Sequence, residues 1–152
     1  MPHVADVSDK SLPPASELIS DAREAALSAY APYSSFFVGA IVLCASGKTY
    51  VGCNVENVAY PLGVCAEASA IAAARVAEGD AMKILQIVVY ALHKKSKQMP
   101  CSPCGGCRQR IAEFGENIEV LFFGPELVQM RLPIKQLLPY SFTFDRNSPG
   151  LA

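Results

Sequence analysis

A cysteine followed two residues later by a glutamate, Cys65-Ala66-Glu67, is matched 39 positions after Cys65 by a pair of cysteines in Pro103-Cys104-Gly105-Gly106-Cys107. Thiolates are soft ligands that suit zinc, and CxxC spacing in a chain without an export signal is more often metal than disulfide. Cys65, Cys104 and Cys107 make three ligands. A tetrahedral ion then keeps its fourth position for water, the arrangement of a catalytic site rather than a structural one. Zinc lowers the pKa of such a water to about 7, making hydroxide available at neutral pH. Glu67, two residues from a ligand, is placed to shuttle protons. The chemistry within reach is attack of water on a polarised substrate.

The order Cys-x-Glu and then Pro-Cys-x-x-Cys is the signature of zinc nucleobase deaminases, with Cys as first ligand. Around it stand Tyr30-Ala31-Pro32-Tyr33-Ser34, Phe37-Val38-Gly39-Ala40, Gly52-Cys53-Asn54-Val55-Glu56-Asn57, Tyr60-Pro61 and Ser102-Pro103-Cys104-Gly105-Gly106-Cys107-Arg108-Gln109. In this order and spacing, from about Ala15 to Phe144, the chain resembles the small homotetrameric cytidine deaminases. The resemblance implies hydrolytic deamination of cytidine and 2′-deoxycytidine to uridine and 2′-deoxyuridine plus ammonia. It implies one zinc ion per subunit on Cys65, Cys104 and Cys107, with Glu67 as the catalytic proton carrier. It also implies Asn54 and Glu56 on the ribose hydroxyl, Phe36 stacked on the pyrimidine, Tyr60 on the sugar side, and Ala66 offering backbone to the base. Phe142 would reach a neighbouring subunit's site in a homotetramer with shared active sites. Ala68 departs from the family, where an Arg commonly follows the glutamate and hydrogen-bonds the thiolates. The helix dipoles, with Arg108 near the second ligand pair, are the expected compensation.

Each residue also has a plainer reading. Asn54 and Glu56 alternate with Val55 at a strand end, so they share a face and could simply cap the strand. Phe36 in a strand is a core residue by default, and Phe142 could pack within its own subunit. Arg75 reads as a surface or interface charge, and Cys44 and Cys53 as small core groups. A closed zinc site needs a fourth ligand, and the histidines, His3 and His93, fall in a tail and a loop. An iron–sulfur run through Cys101, Cys104 and Cys107 lacks the fourth cysteine of such motifs. Two other functions remain: deamination of a modified pyrimidine nucleoside of the blasticidin type, and a zinc-stabilised binding module without turnover.

The elements that must hold these groups follow from periodicity. Residues 16–29 place Leu18, Ile19, Ala22, Ala25, Ala26 and Ala29 on one helical face behind a Ser16 cap and a first-turn Glu17. Residues 36–43 and 48–55 are apolar, β-branched runs joined at Ser46-Gly47, an antiparallel hairpin. Residues 65–77 form an Ala-rich helix expected to be buried nearly all round. A strand over 84–92, a helix over 104–114, a strand over 118–123 and a short helical turn over 134–138 complete the order. Both ligand segments then open helices, whose dipoles and free amides face the thiolates. Alternating helix and strand require crossovers, which predicts a three-layer α/β/α fold with a mixed sheet of about five strands.

The chain of 152 residues fits one domain, expected over 16–152 behind a mobile tail at 1–15. Its 51% hydrophobic and 18% charged content fills a core and excludes disorder. Thirteen basic against fourteen acidic residues give a net charge of −1, so the chain lacks the basic footprint that binds nucleic acid. A free nucleoside is the expected partner. The first fifteen residues contain no apolar run, which predicts neither a secretory signal nor a membrane anchor. Six cysteines without an export signal predict the reducing cytoplasm.

Overall fold

In the computed structural model of the chain, residues 12–144 are described. The expected tail, 1–15, falls mostly outside them, as does His3. Within it, Leu12 packs against the core, and Ala15 opens the first helix.

That helix, α1, spans Ala15–Leu27 and buries Leu18, Ala22, Ala25 and Ala26, the spacing of one helical face. Its N-cap is Pro14, not Ser16: Pro14 is held extended, and its carbonyl accepts the amides of Glu17 and Leu18 at 3.0 and 3.2 Å. Because Pro13 is itself followed by a proline, the chain stays extended there, and Ala15 is the first residue free to turn helical.

The hairpin β1 (Phe36–Cys44) and β2 (Thr49–Cys53) follows. Helix α2 (Ala66–Glu78) crosses to β3 (Ile84–His93), which folds back as the short β4 (Lys97–Met99). Helix α3 (Gly105–Ala112) leads to β5 (Glu119–Phe123), β6 (Gln129–Pro133) and the single turn α4 (Ile134–Leu137).

The sheet has six strands in the order β2-β1-β3-β5-β6, with β4 paired to β3. It is mixed: β3 and β5 run parallel and every other pairing is antiparallel. The sequence places four strands of an expected count of about five, and leaves out both β4 and β6. β4 has three residues of unremarkable composition, joined to β3 through Lys94 and Lys95, which both take positive φ (50° and 56°) where Asn or Gly is usual. β6 alternates, with Met130 and Leu132 turned to the core and Pro133 tolerated because the strand is an edge.

The three layers are as expected. α1 covers one sheet face through Ile41, Leu43, Val88, Leu92 and Leu121. α2, α3 and α4 cover the other through Val42, Ile87, Val89, Val120 and Ile111. Each fully buried aliphatic of this kind contributes about 1.5–3 kcal/mol. Both helices approach the sheet over a glycine. A Cβ on Gly39 would lie 2.0 Å from the carbonyl oxygen of Ala22, and one on Gly52 would lie 2.4 Å from that of Ala66. α2 is not buried all round: Ala70, Ile71 and Ala74 face the core, while Val76 is 88% exposed.

Candidate active site

Cys65 is the N-cap residue of α2 and Cys104 that of α3, with Cys107 one turn into α3. The close seating of α2 over Gly52 fixes the first. The second is fixed by the amide of Cys101, which donates to the carbonyl of Phe123 at 2.8 Å, and by Arg108. The Arg108 guanidinium donates to the carbonyls of Pro103 and Leu137, both at 2.9 Å, and to Ser102 Oγ. Arg108 therefore ties the ligand loop to α4. Its donors are engaged with those oxygens rather than with the thiolates, contrary to its expected compensating role.

The three sulfurs converge within 4.8 Å of one another, with Cys65 and Cys104 Sγ 3.9 Å apart. A tetrahedral zinc at a Zn–S distance of about 2.3 Å needs sulfurs about 3.8 Å apart, so the donor set fits the ion. Among the described residues no histidine or carboxylate joins the cluster, so it supplies three ligands. His93 ends β3, paired with Phe36, rather than lying in a loop. Cys101 stands outside the cluster, and burial, followed by the charges of Glu67, Cys104 and Cys65, pushes its thiol up to about 12. The iron–sulfur reading needed Cys101 in place of Cys65 and fails on this geometry.

Burial raises the pKa of Cys65 and of Cys107. On Cys104 burial also pushes upward, but hydrogen bonds from the Cys107 amide and thiol and from Cys65 reverse it, and the thiol is lowered. Cys104 is the thiol readiest to ionise. Glu67 is 4% exposed, and burial raises its carboxyl against the opposing effects of its own amide, the Cys107 thiol and the Arg110 charge. A carboxyl raised by burial takes up a proton more readily than an exposed one, which suits a group that carries protons between water and substrate.

Beside the thiols lies a cavity of about 300 Å³, lined by Cys65, Ala66, Glu67 and Cys104 and walled by Phe36, Asn54, Glu56 and Cys101. The pair Asn54 and Glu56 lies just past β2, whose ladder stops at Cys53. It is held instead by the segment before β1: Tyr30 receives a bond from Glu56 N–H at 2.8 Å and donates to Asn54 O at 3.1 Å. Asn54 clamps β1, accepting from Val38 N–H at 2.7 Å and donating to the Phe36 carbonyl at 2.9 Å. One amide hydrogen and one oxygen lone pair remain for a ligand. The Ser34 hydroxyl, followed by the amides of Tyr33 and Ser34, bonds the Glu56 carboxylate and holds its pKa below the ordinary value.

Tyr60 does not line this cavity. It borders an adjoining hollow of about 360 Å³ that shares Glu56, and its ring packs edge-on to Tyr33 at 5.7 Å. Phe142 is 76% exposed, anchored by its backbone to both ends of the Gln109 amide at 2.8 and 3.0 Å. Within its own chain the ring meets that of Phe144 at 6.4 Å. Arg75 binds the carbonyl of Gly79 and the carboxylate of Asp80, closing the C-terminal end of α2 at the surface. Sequence reasoning gave no role to Ser34 as the holder of Glu56 or to Cys101 as a cavity wall. The nearest signal for Cys101 was a third cysteine two residues before Pro103.

Residues 13–124 match the family described as the cytidine and deoxycytidylate deaminase zinc-binding region. The chain is 44% identical over 99 residues to a cytidine deaminase of Sporosarcina psychrophila, covering 64% of this chain and 68% of that protein. It is 38% identical over 125 residues to the cytidine deaminase of Mycobacterium tuberculosis, 82% of this chain and 86% of the other. The crystal structure of the Burkholderia pseudomallei cytidine deaminase superposes with a TM-score of 0.72 at 36% identity, over 86% of this chain and 100% of that one.

Proposed function

The chain belongs to the cytidine and deoxycytidylate deaminase zinc-binding family, and on that premise we propose that it hydrolyses cytidine and 2′-deoxycytidine to uridine and 2′-deoxyuridine, releasing ammonia. The observation that carries this reading is the buried Glu67 beside three converged thiols that leave a ligand position open.

Cys65, Cys104 and Cys107 would hold the zinc ion, which would supply a polarised water for addition to the amino-bearing ring carbon. Glu67 takes one proton from the attacking water and gives it to the ring nitrogen; it then takes the proton of the hydroxyl so formed on the ring carbon and gives it to the amino group as the C–N bond breaks, leaving the ring carbonyl and ammonia. Ala66, buried at the start of α2, offers its backbone to the base edge. Phe36 stacks on the ring, and Asn54 and Glu56 bind the ribose hydroxyl through the donor and acceptor positions still free. A site built to bond that hydroxyl rejects analogues lacking it. The blasticidin-type alternative would take a substrate without an ordinary ribose, which the Asn54–Glu56 pair does not favour.

In this proposal the enzyme is a homotetramer, with Phe142 completing a neighbouring subunit's site and Tyr60 standing on the sugar side. Supporting it are the exposed apolar groups Val58, Tyr60, Leu62 and Val76, each at least 66% exposed, on the substrate side and on α2. The six cysteines are all unpaired, in keeping with a reducing cytoplasm, and no helix among the described residues is long and apolar enough to cross a membrane.

The test is the ultraviolet spectrum of cytidine, and separately deoxycytidine, with zinc-loaded protein and with Glu67→Gln. Conversion by the parent and a loss of about 10²–10⁴-fold in the folded, zinc-containing variant is expected. A folded, zinc-containing parent that converts neither nucleoside would overturn this reading in favour of a modified pyrimidine nucleoside as substrate or of a binding module without turnover.

A further inference from the structure

Three thiolates around a divalent cation carry one net negative charge, and an ionised Glu67 adds another. Uncompensated, that charge opposes loss of a proton by water at the site and leaves the ligands prone to reprotonation and zinc loss. Two helix N-termini contribute about half an elementary charge each. Ala68 contributes none, and the donors of Arg108 are taken by Pro103, Leu137 and Ser102.

Arg110, one turn beyond Gly106 on α3, is placed differently. A Cβ built on Gly106 would stand 3.1 Å from Arg110 Nη1 and 4.0 Å from Cys104 Sγ. The guanidinium therefore folds back along the helix toward the ligand loop, against the place a side chain at 106 would fill. Its charge is also the cationic influence felt by Glu67.

We propose that Arg110 is a positioning residue of the metal centre, its guanidinium offsetting the negative charge of the Cys65, Cys104 and Cys107 thiolates, with the bare Gly106 backbone giving it access. The inference rests on the zinc-hydrolase reading above. Arg110 touches neither substrate nor reacting atoms, so its effect is on how firmly the thiolates hold the ion.

The experiment follows transfer of zinc from the loaded protein to a chromophoric chelator in the absence of nucleoside. It compares the parent with Arg110→Gln, Arg110→Lys, Gly106→Ala and, as a distant charge control, Arg23→Gln. Arg110→Gln is expected to release zinc about 10–100-fold faster, the usual cost of losing a group that supports metal ligands. Arg110→Lys and Arg23→Gln should stay close to the parent. Gly106→Ala keeps the charge but displaces it, so it should fall between parent and Arg110→Gln, and it serves the same purpose should Arg110→Gln fold poorly. The difference between parent and Arg110→Gln should shrink at high salt, as expected of a partly exposed charge. Equal release rates in parent and Arg110→Gln would overturn the proposal, as would equal loss in the Lys and Gln variants. Failure of the zinc-loaded parent to deaminate cytidine would refute the functional reading and leave the release rates as an independent result.

Discussion

A Cβ on Gly52 of β2 would stand 2.3 Å from the amide nitrogen of Ala70 in α2, closer than any packed side chain allows. The helix that presents Cys65 and Glu67 is therefore seated on the sheet by the absence of one methyl group. Because the obstruction is backbone, it cannot be relieved by a rotamer change. Gly52→Ala should destabilise the fold by at least the roughly 1–3 kcal/mol of ordinary overpacking, read as a lowered denaturant midpoint, and should loosen zinc through the shift of Cys65. A parental midpoint would show that α2 is not seated this way.

The geometry separates Cys101 from the three clustered cysteines. Cys65→Ser, Cys104→Ser and Cys107→Ser should each lose stoichiometric zinc, whereas Cys101→Ser should keep one ion per chain by elemental analysis. Removing zinc from the parent should also lower its unfolding midpoint, since a ligand at about 1,000 times its Kd stabilises by about 4 kcal/mol. Zinc loss by Cys101→Ser comparable to the other three would contradict the ligand set.

In the proposed function Glu56 binds the sugar and takes no part in the chemistry. Glu56→Gln should raise KM for cytidine much more than it lowers kcat, the pattern of an interaction made equally in ground and transition states. Its pKa is depressed, chiefly by the Ser34 hydroxyl. Any stabilisation from the charged form is thus present above the ordinary carboxylate range, near pH 4, and is lost as pH falls through the lower folded value. Between pH 5 and 8 the KM contributed by this group should be flat, and a titration of KM there would point to another group.

Tyr50 Oη donates to Glu78 Oε1 at 2.5 Å, and this bond raises the phenol to about 12, with burial a smaller cause. A raised folded pKa contributes stability that is fully present below the unfolded value of about 10 and is lost as pH rises from there toward about 12. The difference in denaturant midpoint between parent and Tyr50→Phe should therefore be constant up to about pH 9 and narrow above it. A gap that widens with pH would reverse the sign argued here.

Phe142 tests the assembly. The residue is 76% exposed and its ring meets that of Phe144 at 6.4 Å. Phe142→Ala should leave the far-ultraviolet spectrum unchanged but raise KM, and should shift the sedimentation profile toward smaller species. Wild-type kinetics together with a wild-type profile would remove Phe142 from the neighbouring site.

The chemistry was legible in the sequence wherever it depends on neighbours along the chain. Cys65 with Glu67, and Cys104 with Cys107, are spaced so that helical geometry alone orients each pair at a helix start. The apolar periods of the helices and strands are local too, and the alternation of those elements implied the three layers. Pro14 displaced the expected Ser16 cap because a proline's fixed φ outweighs a side-chain preference. β4 escaped notice because three polar-leaning residues carry no pattern until β3 offers them a ladder.

Tertiary structure decided what depends on residues far apart in sequence. It brought Cys65 within 3.9 Å of Cys104 across 39 positions, gave both polar ends of the Asn54 amide to β1, and moved Tyr60 into the adjoining hollow. It also settled which arginine of α3 is tied to backbone carbonyls and which lies over Gly106. Spacing along a helix fixes the direction in which a side chain leaves the backbone. Which partner it meets depends on how closely helices and strands pack, and here that closeness is set by single glycines on opposite faces of one sheet.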